Sequence, residues 1–432
     1  MKFKILTLGC KVNQAESSGL AAVLRGMQLE DAETADEADI LIVNSCAVTA
    51  ESVRKTKQLL RSLKRKNPKA KRLLTGCWPQ AFPEDDFSEA DFVTGTKNRE
   101  ALLEWLSAQT DMPQKNIPTY SSGDVFSPLP CADTTRTRAF LKIQDGCNQF
   151  CSYCIIPFAR GRCRSMPPER LRSEVQALAE AGFREIVLTG INLGFFGTDT
   201  GQSLADAVGL CAAQEGILRV RLGSLEPERM DTETLRRFAA CEKFCPQFHL
   251  SLQSGCDAVL RRMNRRYDTA QYRALAEEIH RLFPDAALTT DVIVGFPGET
   301  DEQFEETCRF VQEIGFTKVH VFPYSAREGT RAAAFPDQVP QEIRMRRAGK
   351  LTEIANEIRK AHLSRFTGRQ VSVLVEGEKQ QNAQRFYQGH TPDGTLVKIF
   401  PENAEKGLQN SAICVTIEGY EDDCLLGVPS AD

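Results

Sequence analysis

The sequence predicts an α/β protein in three parts: an N-terminal parallel α/β domain, a central partial (β/α)6 barrel and a small C-terminal β-barrel. Two observations carry this. Strand-like and helix-like runs alternate through most of the 432 residues, the pattern of parallel sheets crossed by helices. Beyond residue 368 the helical runs stop, and short strand-like runs separated by Gly and Pro take over, the pattern of a small barrel.

In residues 1–112, Phe3–Leu8, Ile40–Val43 and Arg72–Thr75 read as strands, with helices over Glu16–Arg25 and Ser52–Lys66. Residues 113–135 carry Pro113, Pro118, Pro128, Pro130 and Ser121-Ser122-Gly123 and read as a linker. Residues 136–367 hold six strand-like runs: Phe140–Ile143, Glu185–Leu188, Arg219–Leu222, Phe248–Leu252, Leu288–Val294 and Lys318–Phe322. Helix-like runs such as Pro168–Ala181 and Asp268–Leu282 lie between them, and Thr300-Asp301-Glu302-Gln303 has the spacing of a capping box. Six units are too few for a full eight-stranded barrel. Glu342–Phe366 reads as one long helix. In 368–432, Gln370–Glu376, Thr395–Phe400 and Ala412–Glu418 read as short strands.

Composition is that of a globular protein, 41% hydrophobic and 26% charged. No apolar run reaches the length of a membrane-spanning helix. Met1–Leu6 leads into a strand and does not read as a signal peptide. Fifteen cysteines in so long a chain suggest metal or cluster binding in a reducing compartment rather than a disulfide scaffold. Five histidines make a histidine-rich metal site a poor reading. The net charge of −4 argues weakly against a nucleic-acid partner. Charge distribution weighs more: Arg54–Arg72 holds ten Lys/Arg in nineteen residues and no acid. Val53, Thr56, Leu60 and Leu63 share a helical face there, so Lys64, Arg65, Lys66 and Lys69 lie on the basic remainder. That remainder is either a solvated face or a phosphate-binding surface.

The chemistry centres on Cys147, Cys151 and Cys154, a C-x3-C-x2-C triplet after Phe140–Ile143 and the turn Asp145-Gly146. Three thiolates this close fit three corners of a [4Fe–4S] cluster and leave one iron open to a substrate. Three core cysteines are the bland alternative. Zinc would want a fourth ligand, and Cys163 is not at zinc-like spacing. Cys10, Cys46 and Cys77 fall at the ends of three expected strands of the first domain. In a parallel sheet such ends meet on one edge, so these cysteines either converge there or are independent core residues.

The stretches Gly146-Cys147-Asn148, Tyr153-Cys154-Ile155-Ile156-Pro157 and Arg160-Gly161-Arg162 resemble the radical S-adenosylmethionine (SAM) methylthiotransferases. So do Arg261-Arg262-Met263-Asn264-Arg265-Arg266-Tyr267 and the order of motifs along nearly the whole chain. The resemblance implies that Cys147, Cys151 and Cys154 hold the cluster that splits SAM to a 5′-deoxyadenosyl radical. It implies a second [4Fe–4S] cluster on Cys10, Cys46 and Cys77. It also implies a SAM site built from Tyr153, Thr189, Gly190, Asn192, Ser224, Glu226, Gln253, Asp291 and Gly295, with Asp291 alternatively bridging neighbouring loops.

Leu8-Gly9-Cys10-Lys11-Val12-Asn13-Gln14, Asn44-Ser45-Cys46-Ala47-Val48 and the basic stretch look most like the threonylcarbamoyladenosine tRNA methylthiotransferases. Ala15, Ser45 and Trp78-Pro79 depart from that pattern without removing a ligand. The implied reaction converts N6-threonylcarbamoyladenosine at position 37, beside the anticodon, to its 2-methylthio form. Its implied partners are the tRNA anticodon loop, an electron donor such as flavodoxin or ferredoxin, and a sulfur source. Residues 368–432 resemble the TRAM-type RNA-binding barrel, with Arg385, Phe386, Tyr387, His390 and Lys398 as RNA-facing candidates and acidic Glu418–Asp423 turned away. The chain ends at Gly427-Val428-Pro429 without the apolar tail of eukaryotic relatives, so a bacterial cytoplasmic enzyme is expected. Other readings are an isopentenyladenosine tRNA methylthiotransferase, a ribosomal-protein aspartate methylthiotransferase, and a non-catalytic iron–sulfur or RNA-binding protein.

Overall fold

A computed structural model describes all residues except 109–113, 122, 128, 131–136, 382–383, 401–406 and 431–432. Pro113, Ser122, Pro128 and the last part of the expected linker lie outside the described residues.

The first sheet has six parallel strands: β1 (Lys2–Thr7), β2 (Glu30–Asp31), β3 (Ile40–Ser45), β4 (Lys71–Gly76), β5 (Phe92–Thr94) and β6 (Gln114–Asn116), in the order β2-β1-β3-β4-β5-β6. Strand β3 is buried along its whole length, as an Ile-Leu-Ile-Val run covered on both faces should be. Strand β6 is polar and exposed, so the start of the expected linker is instead an edge strand of this sheet. Four helices follow strands here: α1 (Lys11–Gly26), α2 (Ala50–Lys66), α3 (Cys77–Ala81) and α4 (Glu100–Ser107). Thr49 caps α2 by accepting from the Ser52 amide at 3.1 Å, worth about 1 kcal/mol. Helix α2 buries Thr56, Leu60 and Leu63, one stripe at helical spacing, and leaves its cations outside.

The second unit carries β7 (Arg138–Lys142), β8 (Gln144–Asp145), β9 (Arg164–Ser165), β10 (Glu185–Thr189), β11 (Arg219–Leu222), β12 (Ser224–Leu225), β13 (Gln247–Leu250), β14 (Ala287–Val294) and β15 (Lys318–Pro323). The parallel strands form two sheets, β11-β10-β7 and β12-β13-β14-β15, and the chain passes from one to the other at Gly223. Ala139, Leu141, Ile186, Leu188, Val220, Leu222, Phe248, Leu250, Leu288 and Val292 join one hydrophobic core. Strand side chains alternate. Arg138, Glu185, Arg219, Arg221, His249 and Asp291 therefore face the opposite way, into the lumen of the partial barrel. A short helix, α5 (Ile156–Arg160), follows the cysteine triplet. The expected capping box at Thr300 is present in both halves, opening the helix Asp301–Ile314.

The helix Gln341–Ser364 packs on β15 and leads to β16 (Gln370–Gln381), β17 (Gln384–His390), β18 (Leu396–Ile399), β19 (Ala412–Glu421) and β20 (Cys424–Pro429). These five strands form one sheet that closes on itself through the β16–β19 pair. Strands β17 and β20 went unrecognised in the sequence. This sheet sits under the lumen. Arg219 donates to the His390 carbonyl at 2.7 Å and the Ser372 carbonyl at 3.1 Å. Arg221 donates to the Pro392 and Thr391 carbonyls at 2.8 and 3.2 Å. Asp423 pairs with Lys318 and Arg359. Asp423, in the turn after β19, stays half exposed while it ties the C-terminal sheet to β15 and to the long helix.

Candidate active site

The loop after β8 presents the first cysteine triplet. Gly146 has φ +73°, and a Cβ there would lie 1.9 Å from the Arg162 carbonyl oxygen, so no other residue fits this turn. The loop is pinned from outside. Phe150 O accepts from Asn264 Nδ2 at 2.9 Å, and Ser152 donates from N to Met263 O and from Oγ to Arg262 O. The Arg261–Tyr267 stretch thus braces the cysteine loop.

Polar donors converge on the sulfurs. Cys147 Sγ accepts from the Gln149 amide at 3.4 Å and from Asn192 Nδ2 at 3.7 Å, and Cys151 Sγ accepts from Arg265 Nη1 at 3.3 Å. Arg265 also pairs with Glu226, and Gln149 with Glu228. Burial pushes the Cys147 thiol up to about 11 and raises Cys151 and Cys154; Cys147 and Cys154 also feel a neighbouring thiol, while Arg265 opposes the rise at Cys151.

The second set gathers at the carboxyl edge of adjacent strands. Cys10 caps α1 after β1, Cys46 follows β3, and Cys77 opens α3 after β4. Gly9, at φ +125°, abuts Cys46: a Cβ there would lie 3.1 Å from that of Cys46. Burial pushes Cys77 up to about 12, and the charges of Cys46 and Cys10 add to this. Asn13 laces the loops together. Its Nδ2 donates to Leu8 O and Ser45 O, both at 3.0 Å, and its Oδ1 accepts from Cys10 Sγ at 3.6 Å.

A buried ionic cluster joins the two units. Glu16 of α1 accepts from Arg99 of the same unit at 2.7 Å and from Lys142 of β7 at 2.7 Å, and it pairs with Arg160 of α5. Asp145 takes Lys142 at 2.6 Å. Burial alone would raise Glu16, but Arg160, Arg99 and Lys142 hold it well below the usual carboxylate range. The cluster did not stand out in the sequence, where Arg160 marked a motif and Asp145 a turn, because its members lie up to 144 positions apart.

Between the two cysteine sets lies a cavity of about 220 Å³, lined by Val48 and Thr49 from one unit and by Tyr153, Cys154, Gln253, Asp291, Ile293 and Tyr324, among others, from the other. Tyr153, Gln253 and Asp291 of the expected SAM site thus come together. Asn192 and Glu226 lie one step away, beside the sulfurs of Cys147 and Cys151. Thr189 is buried at the end of β10, and Gly190 packs on Gln144. Ser224 is exposed. Asp291 also faces His249 at 3.4 Å. Gly295 does not line the cavity: its φ is +69°, its amide donates to Glu299 at 3.0 Å, and a Cβ would strike Arg344. Its place is a turn, and Ile293 takes the wall position.

Among the RNA candidates, Lys64 pairs with Glu89 at 3.0 Å, while Arg65, Lys66 and Lys69 are exposed. Arg385 is exposed beside Glu378 at 3.5 Å, and Lys398 lies 3.7 Å from Glu421 and over the Phe386 ring. Phe386 and Tyr387 are buried and His390 pairs with Glu376. Alternation puts Tyr387 in the barrel core, while Phe386, on the other face, lies against Phe400 and under Lys398.

No three His, Cys, Asp or Glu among the described residues converge tightly enough for one metal ion. A cubane spreads its thiolates over separate irons, and the donor sets fit that. Each set is three cysteines at a loop or strand edge, and N–H groups already point at the sulfurs of Cys46, Cys147 and Cys151. The Asn192 side-chain oxygen is buried without a partner among the described residues, as a site awaiting a polar ligand would show. No helix of the described residues is long and apolar enough to cross a membrane.

Residues 141–311 match the radical SAM superfamily, and residues 2–95 match an uncharacterized protein family, UPF0004. The threonylcarbamoyladenosine tRNA methylthiotransferase MtaB of Chlamydia pneumoniae is 35% identical, over 98% of this chain and 97% of its own. The tRNA-2-methylthio-N(6)-dimethylallyladenosine synthase of Clostridium novyi is also 35% identical, over 92% of this chain and 90% of its own. A solved radical SAM methyltransferase, TsrM from Kitasatospora setae, shares the fold, with a TM-score of 0.54 at 14% identity over 77% of each chain. Superfamily cofactors are SAM and a [4Fe–4S] cluster, which the first cysteine loop suits. With relatives of this activity class 35% identical over nearly their whole length, this chain belongs to the radical SAM tRNA methylthiotransferases.

Proposed function

We propose that the chain methylthiolates C2 of N6-threonylcarbamoyladenosine at position 37 of tRNA. One cluster would sit on Cys147, Cys151 and Cys154, and a second on Cys10, Cys46 and Cys77. The observation that carries this is the shared cavity: Val48 and Thr49, just past Cys46, and Tyr153 and Cys154 line the same space. One base held there has both cysteine sets within reach.

The residues have separable tasks. Gln149, Asn192 and Arg265 orient thiolates by donating to sulfur. Asn192, Glu226, Gln253 and Asp291 would hold SAM, with Thr189, Gly190 and Ser224 shaping the strand ends and Gly295 setting a turn. Tyr153 and Ile293 give an apolar wall suited to an adenine ring and to keeping water out. When bound, the cofactors supply the radical chemistry needed at an aryl C–H, which is too weak an acid for any side-chain base.

Relatives acting on two different modified bases match at the same identity, so the choice rests on the Leu8–Gln14 and Asn44–Val48 stretches, which look most like the threonylcarbamoyladenosine enzymes. Lys64–Lys69 and the C-terminal sheet, on a TRAM-like reading with Arg385 and Lys398, would face the RNA. A single-stranded loop can deliver its base without opening a duplex. Flavodoxin or ferredoxin as electron donor, a separate sulfur source and a cytoplasmic setting complete the proposal, with units at 1–112, 136–367 and 368–432. Deletion of the gene should remove 2-methylthio-N6-threonylcarbamoyladenosine from tRNA nucleosides read by mass spectrometry. Its persistence, with loss of the dimethylallyl product instead, would transfer the assignment.

A further inference from the structure

Helix α5 carries one apolar side chain that its packing leaves out. Ile155 before it and Ala159 within it are buried with Ala47 and Cys77 of the N-terminal unit, and the Ala159 carbonyl accepts from Thr96. Phe158, next to Ala159, is 54% exposed. Single exposed apolar side chains are common on any protein surface. This one borders a cleft of about 400 Å³, which Tyr120, Phe150 and Arg162 also line, among others.

The cleft is set for a flat ring and an anion. Phe158 meets Phe150 edge to face, with ring centroids 6.3 Å apart at 85°. Arg162 lies over the Phe150 ring, 4.8 Å from its centre. Phe150 is held in place: its φ is +52°, in the left-handed region that a bulky residue seldom enters, and its carbonyl accepts from Asn264. Tyr120 is fixed too. It abuts Gly161, where a Cβ would lie 2.7 Å from its ring, and Arg164 sits 4.8 Å from its centre. Arg162 is exposed and forms no ion pair among the described residues, and no described Asp or Glu lines the cleft.

Helix α5 divides this cleft from the cavity between the cysteine sets. Ile155 and Ile156 line the cavity, and Pro157 and Phe158 line the cleft. Positions two apart face nearly opposite sides of a helix, which is about 10 Å across with its side chains. Two adjacent bases of a single strand, splayed apart, can straddle that width. We propose that the cleft takes the nucleotide next to the target base, with its base stacked on Phe158 and a phosphate on Arg162. This rests on the reading above that the substrate is a base of the tRNA anticodon loop. Stacking on an aromatic ring tolerates any base, so the cleft would hold the neighbour in loops of different sequence. Holding it on the far side of α5 unstacks the target and frees it for the cavity. An electron-donor protein is the competing occupant. A recess between three rings gives it little of the roughly 800 Å² that a stable protein interface covers on each side.

The test uses the full chain, loaded with iron, and anticodon stem-loops with N6-threonylcarbamoyladenosine at position 37 and an abasic site at position 36, at position 38 or at neither. Wild type should bind one of the two abasic loops about 5- to 100-fold more weakly than the intact loop, the range for one base on one aromatic ring. Phe158→Ala should bind the intact loop as weakly as that, and removing the base should then cost nothing further. Phe158→Leu keeps the apolar bulk without the flat face and should behave like Phe158→Ala; it decides if the smaller side chain costs iron. Arg162→Gln should weaken all the loops alike and lower the log–log salt slope by about one unit. Iron content and SAM cleavage without RNA should stay at wild-type levels. Wild-type indifference to both abasic sites overturns the assignment, as do losses that multiply when the variant and the abasic loop are combined. So does iron loss in both Phe158 variants, the mark of a packing role. A Phe158→Ala chain that keeps its loop affinity, but is reduced slowly by flavodoxin and normally by dithionite, would give the cleft to the electron donor. Failure of the substrate reading looks different: wild type would then bind no anticodon loop better than an unrelated hairpin.

Discussion

Arg160 donates through Nη2 to the side-chain oxygen of Asn13 at 3.0 Å. Arg160 ends the short helix that follows Cys154, and Asn13 ties the loops carrying Cys10 and Cys46. One hydrogen bond thus runs from the base of one cysteine set to the base of the other, with Glu16 neutralising the guanidinium behind it.

Replacing Glu16 with Gln should cost about 3–5 kcal/mol in chemical denaturation, because it leaves Arg99, Lys142 and Arg160 buried with one carboxylate fewer. The folded Glu16 carboxyl titrates well below its ordinary 4.5. Its contribution is therefore fully present above about pH 4.5 and is lost as pH falls toward the folded value. The variant should lack that part of the acid-induced loss. A cost under about 1 kcal/mol would show that the cluster is not a joint.

The two cysteine sets should be separable. Changing Cys147, Cys151 and Cys154 to Ala should abolish reductive SAM cleavage and leave the other cluster's iron in place. Changing Cys10, Cys46 and Cys77 to Ala should keep about four irons, the content of one [4Fe–4S] cluster. It should also keep 5′-deoxyadenosine formation while ending sulfur insertion. Iron and sulfide counts with product chromatography read both. Wild-type iron in the second variant would return those cysteines to the core.

The basic end of α2 should bind RNA backbone. Lys64, Arg65, Lys66 and Lys69 changed together to Gln should weaken tRNA binding and flatten its log–log salt dependence by roughly one unit per lost phosphate contact. Lys64 already holds Glu89, so most of the effect should come from the other three. SAM cleavage without RNA should hardly change. An unaltered salt slope would leave α2 a solvated face.

Local patterns made the strands and the cysteines legible. Ile40–Val43 and Leu288–Val294 are apolar runs that any parallel sheet would bury, and the triplet at Cys147 announces itself by spacing. Strand β6 hid because Gln114-Lys115-Asn116 is polar and pairs through backbone alone, and β17 hid because Phe386 and Tyr387 are its only large apolar residues and show no alternating pattern. The ionic cluster hid for another reason. Glu16, Lys142 and Arg160 are ordinary charges one at a time, and only the tertiary fold brings them together. Gly295 stood out as part of a motif expected near SAM; the structure shows what its glycine does locally, a turn against Arg344.

The joint beneath the barrel has a consequence for how such a protein can change over generations. Arg219 and Arg221 grip the C-terminal sheet chiefly by main-chain carbonyls at Ser372, His390, Thr391 and Pro392. Every residue type supplies that oxygen. Outward side chains of the sheet can therefore be exchanged while the clasp that holds the sheet in place stays the same.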